Sequence, residues 1–372
     1  RIGRTIFNVL RFFHAESKTV LGAAFVVGLL SMASRLIGFI RDRILAGTFG
    51  AGDTLDVYYA AFKLPDLLFT LVVIGAVSAS FIPLFTRHYS DAFGKKKAWR
   101  FANRSLNLLV VVMLLGSVLL FASAPYISSV IAPGFDSFKQ ADVTKFTRIM
   151  LLAQIFLSAS MVFGSVLQSL KRFILYALAP VFYNLGIIIG AIVFTPWFGP
   201  IGLAWGVVFG AALHALIQYL GAYQAGYRYG WDFSLRDADI KVVTRQTMPR
   251  MLGLAVNQIL FAILAIVAST LPQGSVTIFQ FAFNLEYFPI GIIAISFAVA
   301  SFPLFSEHLS HDNLDAFRSV FSRTAREILL FMIPLSILFL VLRAQLVRLV
   351  VGAGNFDWTA TIQTADALAF FA

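Results

Sequence analysis

Cysteine is absent from the 372 residues, which excludes disulfides, thiolate nucleophiles and cysteine-based metal sites. Charge is scarce as well. Asp, Glu, Lys and Arg make up 13% of the chain, about half of the roughly 25% expected for a soluble protein. No GxxxxGK[ST] run occurs, so the chain carries no nucleotide-binding loop of that kind, and no HExxH, Ser/His/Asp motif or carboxylate pair suggests hydrolysis. The five histidines, His14, His88, His214, His308 and His311, lack paired-ligand spacing, and His88 and His308 read as packing residues rather than metal ligands. The expectation is a protein that is not an enzyme and carries no organic cofactor.

Apolar residues, by contrast, fill 59% of the chain and aromatics 15%. Stretches of about 20 mainly apolar residues are long enough to cross a bilayer. They are predicted near 20–40, 62–85, 106–130, 146–169, 174–195, 200–221, 249–271, 278–305 and 328–350, with a tenth beginning near 362. The fold class expected is therefore an all-α polytopic membrane protein with about 10 transmembrane helices. The net charge of +11 would suggest nucleic acid in a soluble chain. Here twenty Lys and Arg fall in alternate loops and seven in the opposite ones, the positive-inside pattern, which predicts a cytoplasmic N-terminus and no nucleic-acid partner. The first apolar run is followed by SRLIGFIRDR and not by a small-residue cleavage site, so no cleavable signal peptide is expected. The chain opens on Arg1 and stops within ALAFFA, and trimming at one or both ends is the expectation.

Residues 1–19 alternate Ile6, Phe7, Leu10, Phe12 and Phe13 with Arg1, Arg4, Arg11 and Lys18, as in a basic amphipathic helix on a membrane surface; a basic tail is the plainer alternative. The polar stretch 223–248 separates an N-lobe (20–222, six spans) from a C-lobe (249–372). The lobes repeat one another. IPLF at 82–85 matches FPLF at 302–305, and the offset that sets Pro83 on Pro303 also pairs His88 with His308, Phe101 with Phe321 and Pro133-Gly134 with Ala353-Gly354. One place further along, Ala61-Phe62-Lys63-Leu64 pairs with Ala282-Phe283-Asn284-Leu285. An even number of spans per copy implies parallel six-helix repeats around a central cavity, with substrate between them.

Ionisable residues inside a membrane segment are functional candidates by default. They gather between Ser34 and Lys63: Arg35, Arg41, Asp42, Arg43, Asp53, Asp56 and Lys63. Arginine suits phosphate because its planar fork donates two parallel bonds and stays charged when partly desolvated. From Arg35 to Arg41 the helix winds through less than two full turns and does not return to the same side, so an unbroken helix would not align them. A break at Gly38 would. Asp42 and Asp56 then hold the arginines when no substrate is present. Helix breaks are also expected at Pro65, Gly75 and Pro289, where freed backbone would face protein or a wet cavity. The plainer readings are snorkelling for Arg35, Arg43 and Lys63 and a helix-end pair for Asp42.

SRLIGFIRD (34–42), FGAGDTLDVYYAAFKLPDLL (49–68) and GAVSASFIPLF (75–85) resemble the MurJ/MviN family of lipid II flippases, within the multidrug/oligosaccharidyl-lipid/polysaccharide exporter superfamily. The resemblance implies fourteen spans, of which this chain would lack about the last four. It also implies transport of undecaprenyl-diphosphate-linked peptidoglycan precursor from the cytoplasmic to the outer leaflet of the bacterial inner membrane by alternating access. Contacts with membrane lipids and cell-wall synthesis proteins come with it. By motif, Arg35, Arg41 and Lys63 take the diphosphate, with Asp42, Asp56 and Glu286 as gating or charge partners. Two family arginines are missing, at Phe69 and Asn284, and Ile74 stands where the family has Glu. Some members bind sodium as a coupling ion, and Asn257 in VNQ would be the ligand here. The alternatives are a flippase for another polyprenyl-linked glycan, a MATE-like cation-coupled drug exporter, and an inactive scaffold of a cell-wall synthesis complex.

Overall fold

In the computed structural model, the described residues are 20–74, 81–91, 94–234, 237–310 and 313–372. The predicted amphipathic segment 1–19 and Gly75 lie outside them. The described chain contains helices and no strand. Its elements are α1 (Val20–Phe49), α2 (Asp53–Phe69), α3 (Phe81–Ser90), α4 (Lys95–Ile131), α5 (Ser137–Ser169), α6 (Phe173–Ile189), α7 (Thr195–Phe198), α8 (Gly202–Gln224) and α9 (Ala238–Ser269). They continue with α10 (Ser275–Pro289), α11 (Ile295–Ser310), α12 (Leu314–Val341), α13 (Arg343–Val350) and α14 (Trp358–Phe371). Six helical runs among them are long and apolar enough to cross a membrane. This is an all-α, multi-pass membrane protein.

Two compact units form. One comprises residues up to Arg41 with Asp56–Pro272; the other comprises Asp42–Leu55 with Gln273–Ala372. The division falls within α1, immediately after Arg41. The polar stretch after α8 belongs to the first unit together with α9.

In that unit α8 packs along α5 and α6. The approach to α6 is set by glycine: a Cβ on Gly186 would run into the backbone of Gly210, and one on Gly190 would lie 2.5 Å from the Gly206 Cα. Small residues let membrane helices close to backbone contact, where dispersion replaces the hydrophobic drive that lipid does not supply. The polar stretch and the start of α9 are strapped onto α4 and α3. Arg104 pairs with Asp232 at 2.9 Å and with Asp237, Asn103 Nδ2 donates to the Arg228 carbonyl at 3.1 Å, and His88 Nε2 lies 2.8 Å from Asp239. Tyr227, fully buried between Trp99 and Phe163, donates its hydroxyl to Asn103. Burial pushes that phenol above the usual tyrosine range, with help from the neighbouring Tyr229 and Tyr219.

The duplication is visible in element boundaries. The offset that sets Pro83 on Pro303 also sets the end of α1, Phe49, on the end of α9, Ser269, and the end of α3, Ser90, on the end of α11, Ser310. Asp136 caps α5 by accepting from the Lys139 amide, and Asp357, one place from its equivalent, caps α14 by accepting from the Ala360 amide. A π turn at Thr70–Ile74 follows α2, and a second at Ile290–Ala294 follows α10, again in register. A third, Gly190–Phe194, follows α6.

Three expected helix breaks need correction. α1 runs through Gly38 without interruption, because a lone glycine lowers helix stability by only about 1 kcal/mol and removes no backbone donor. α2 continues through Pro65, and its irregularity is the π turn that begins at Thr70. Pro289 closes α10 and passes directly into a π turn, so the chain widens there rather than breaking.

Candidate functional site

Because α1 is unbroken, Arg35 and Arg41 leave it about 120° apart around the axis, and they do not share a direction. Arg35 is half-buried and makes no hydrogen bond or ion pair with a described residue. Arg41 Nη1 donates to Asn184 Oδ1 at 2.8 Å. The orientation of that amide follows from its other end: Asn184 Nδ2 donates to the Pro180 carbonyl one turn back at 3.1 Å, which leaves the oxygen for the guanidinium.

Lys63 lies on α2 with its Nζ 5.9 Å from the centre of the Phe261 ring, a cation–π approach from α9. One turn on is Asp66, which interacts electrostatically with Lys63 and with Tyr183, and Tyr183 in turn feels Arg41. The first unit thus gathers Arg41, Lys63, Asp66, Tyr183 and Asn184 into one electrostatic neighbourhood drawn from α1, α2 and α6. Behind it runs a polar chain. The Tyr183 and His214 rings meet edge to face with centres 6.4 Å apart, His214 Nδ1 is 2.7 Å from Ser160 Oγ, and Ser160 donates to Gln218 Oε1 at 2.8 Å. An amide oxygen only accepts, so the one Ser160 hydroxyl proton goes to Gln218.

The other predicted charges have different surroundings. Asp56 is buried and accepts from Lys139 Nζ at 3.0 Å, and Lys139 also sits 3.9 Å above the Phe135 ring. A partner for Asp56 therefore comes from α5, where the sequence pointed only to the arginines of α1. In the second unit Asp42, buried, accepts from Asn284 Nδ2 at 3.0 Å, and Arg43 donates to the Leu349 carbonyl at 2.7 Å. Asn284 itself accepts from Gln280 at 2.9 Å. Glu286 lines a cleft of about 230 Å³ with Pro289, Met332 and Phe339 and makes no hydrogen bond or ion pair with a described residue. Phe69 packs against the apolar core of the first unit. Asn257 is exposed on α9, and the described residues contain no group of three or more His, Asp or Glu that could hold a metal.

Sequence reasoning missed Asp66, Tyr183, Asn184 and His214. Each had a signal: a polar or ionisable side chain within an apolar run.

Residues 45–372 match the family described as lipid II flippase MurJ. The chain belongs to the MurJ family. Among curated relatives, a probable lipid II flippase MurJ of Rhizobium tropici is 28% identical over 354 residues, covering 93% of this chain and 66% of that protein. The probable lipid II flippase MurJ of Buchnera aphidicola subsp. Schizaphis graminum is 28% identical over 356 residues, covering 95% and 69%. The chain thus spans about two thirds of the length of these MurJ relatives. Among solved structures, a lipid II flippase MurJ in an inward closed conformation superposes with a TM-score of 0.76 at 20% identity, over 93% of this chain and 71% of that one. An inward-facing MATE family multidrug resistance transporter superposes with a TM-score of 0.70 at 16% identity, over 93% and 79%. At those identities the likeness to both is one of fold.

Proposed function

We propose that the protein moves an undecaprenyl-diphosphate-linked sugar, the peptidoglycan precursor lipid II, from the cytoplasmic to the outer leaflet of the bacterial inner membrane by alternating access, with its N-terminus in the cytoplasm. Membership of the MurJ family over residues 45–372 carries this reading. The chemistry is consistent with it. A diphosphate cannot cross hydrocarbon alone, since each charge costs at least several kcal/mol at the bilayer centre, and a lined site must replace its water. Arg35 makes no hydrogen bond or ion pair with a described residue, and Arg41 donates to Asn184 through Nη1. Lys63 adds a third cation. No bond is made or broken in this reading, and the work is recognition and movement.

The test is complementation of a strain depleted of its native flippase by the full-length protein, beside Arg35→Ala and Arg41→Ala. Rescue by wild type and failure of both well-expressed variants is expected. Full rescue by both variants would sink the assignment.

A second reading is transport of a different polyprenyl-linked glycan. Phe69 and Asn284 favour it, standing where the family pattern has arginine, and the Asn284 amide meets Asp42 with a neutral donor. Failure of well-expressed wild type to complement, with retained binding of undecaprenyl diphosphate, is the outcome that selects it.

A further inference from the structure

Between α3, α4 and α9 the first unit holds a cleft of about 230 Å³. Among the described residues, none that lines it is charged. Ser105 and Thr244 stand at one end, and Val112 and Met251 at the other, about two turns further along α4 and α9. The Ser105 end has polar surroundings: the neighbouring Arg104 pairs with Asp232 and Asp237, and Asn107 Nδ2 donates to the Asp232 carbonyl at 2.9 Å. At the other end Val112 and Met248 are exposed apolar side chains. Polarity therefore falls along the cleft. Ser105 is 6% exposed, and its buried Oγ has no hydrogen-bond partner among the described residues. A helical serine or threonine in apolar surroundings commonly returns its proton to the carbonyl one turn back. Thr244 and Thr247 do so on the α9 wall, donating to Ile240 and Val243 at 2.9 and 2.7 Å. Ser105 does not, and its hydroxyl is left facing the cleft.

We propose that the cleft holds one acyl chain of an ester-linked membrane phospholipid, with the ester carbonyl accepting from Ser105 Oγ and the chain running towards Val112 and Met251. The unmade hydroxyl bond asks for an occupant with an oxygen acceptor near one end, and the fall in polarity asks for hydrocarbon beyond it. An ester-linked chain has both. A polyprenyl chain carries its oxygens in a charged phosphate group, which a cleft without a lining cation does not accommodate. Met248 and Met251 give that wall soft, unbranched side chains, suited to a chain that takes many conformations. Surrounding lipid is as apolar as the cleft, so burial alone holds nothing there, and retention depends on close packing and on the hydrogen bond. That makes Ser105 the residue on which occupancy turns. The site is independent of which lipid-linked sugar the protein moves.

The test is photolabelling of the full-length protein in nanodiscs of phosphatidylethanolamine and phosphatidylglycerol. A trace of phosphatidylcholine bears a diazirine midway along one acyl chain, and labelled peptides are mapped by mass spectrometry. Labels are expected on α4 between Leu108 and Val112 and on α9 between Thr247 and Met251, well above the level on the exposed Leu330 and Phe331 of α12. Ser105→Ala should lower labelling in the cleft by roughly threefold to tenfold, the worth of one hydrogen bond, and leave α12 unchanged. Ser105→Thr keeps the hydroxyl and should retain most of the labelling. Cleft labelling no higher than on α12, or equal in wild type and Ser105→Ala, overturns the proposal. Preferential labelling of the same segments by a diazirine-bearing undecaprenyl phosphate also overturns it, and gives the cleft to the tail of the carried lipid. Melting separates a lipid-binding serine from a merely structural one. Delipidated in detergent, Ser105→Ala should melt no lower than wild type, because it removes an unpaired buried group; with phosphatidylethanolamine added, wild type should gain more than the variant. A variant that melts lower without lipid shows the hydroxyl satisfied within the protein and refutes the site.

Discussion

Asp56 and Lys139 offer a sharp test of whether a buried charge in this chain is structural or functional. Their side chains are 2% and 11% exposed and their charged atoms 3.0 Å apart. At an effective dielectric of 20 the attraction at that distance is about 5 kcal/mol, largely offset by the cost of taking both ions out of water. Removing one partner forfeits the attraction and keeps the other ion's desolvation cost, so Asp56→Leu or Lys139→Met should each destabilise by about 3–5 kcal/mol. Lys139→Met also loses the cation–π contact with Phe135, about 1 kcal/mol. With about 2–4 °C per kcal/mol as a guide, each single variant should melt on the order of 10 °C lower in detergent, followed by fluorescence-detected size exclusion. The double variant removes both ions and should recover most of that loss, together with complementation of flippase-depleted cells. A double variant that melts at the sum of the two singles would refute the pairing energetics. One that melts like wild type yet fails to complement would return Asp56 to the transport site.

Three further outcomes follow from the geometry. Gly186→Val should force α6 from the Gly210 backbone and abolish the monodisperse peak on size exclusion, whereas an unchanged profile would mean the helices are not in close contact. Asn184→Ala deprives the Arg41 guanidinium of an acceptor worth about 1.5–3 kcal/mol, so transport should fall at least several-fold at equal expression; Asn184→Gln tests whether reach matters as well as chemistry. The Tyr227 phenol is held neutral above its usual range, so its contribution to stability is complete below about pH 10, the unfolded value, and is lost as pH rises through the higher folded value. Tyr227→Phe should lower the melting temperature at pH 7 by removing the bond to Asn103, and should lose that alkaline fall; an identical alkaline profile would contradict the assignment.

The repeat was legible because punctuation survives in apolar sequence: Pro83 and Pro303, or Pro133-Gly134 and Ala353-Gly354, stand out where Leu and Val do not. The charges between Ser34 and Lys63 were legible for the same reason, being few and expensive. Their partners were not. Lys139 is far along the chain from Asp56, Asn184 farther still from Arg41, and no local pattern encodes contacts made by helix packing. Gly38 misled because glycine permits a break without imposing one, and α1 keeps its ladder there. Asp66 was overlooked because it lies beyond Lys63, where the run of charges that drew attention ends.

The two π turns at Thr70–Ile74 and Ile290–Ala294 say something about chronology. A π turn accommodates one residue more than an α turn, which is the form a one-residue insertion takes when the rest of the helix does not absorb it. Two independent insertions would have little reason to fall at the same place in both copies. One insertion in the ancestral half, inherited twice, accounts directly for Thr70 standing opposite Ile290 in the same register as Pro83 and Pro303. The irregularity is then older than the duplication, and the ancestral half already had a widened helix before it had a second copy.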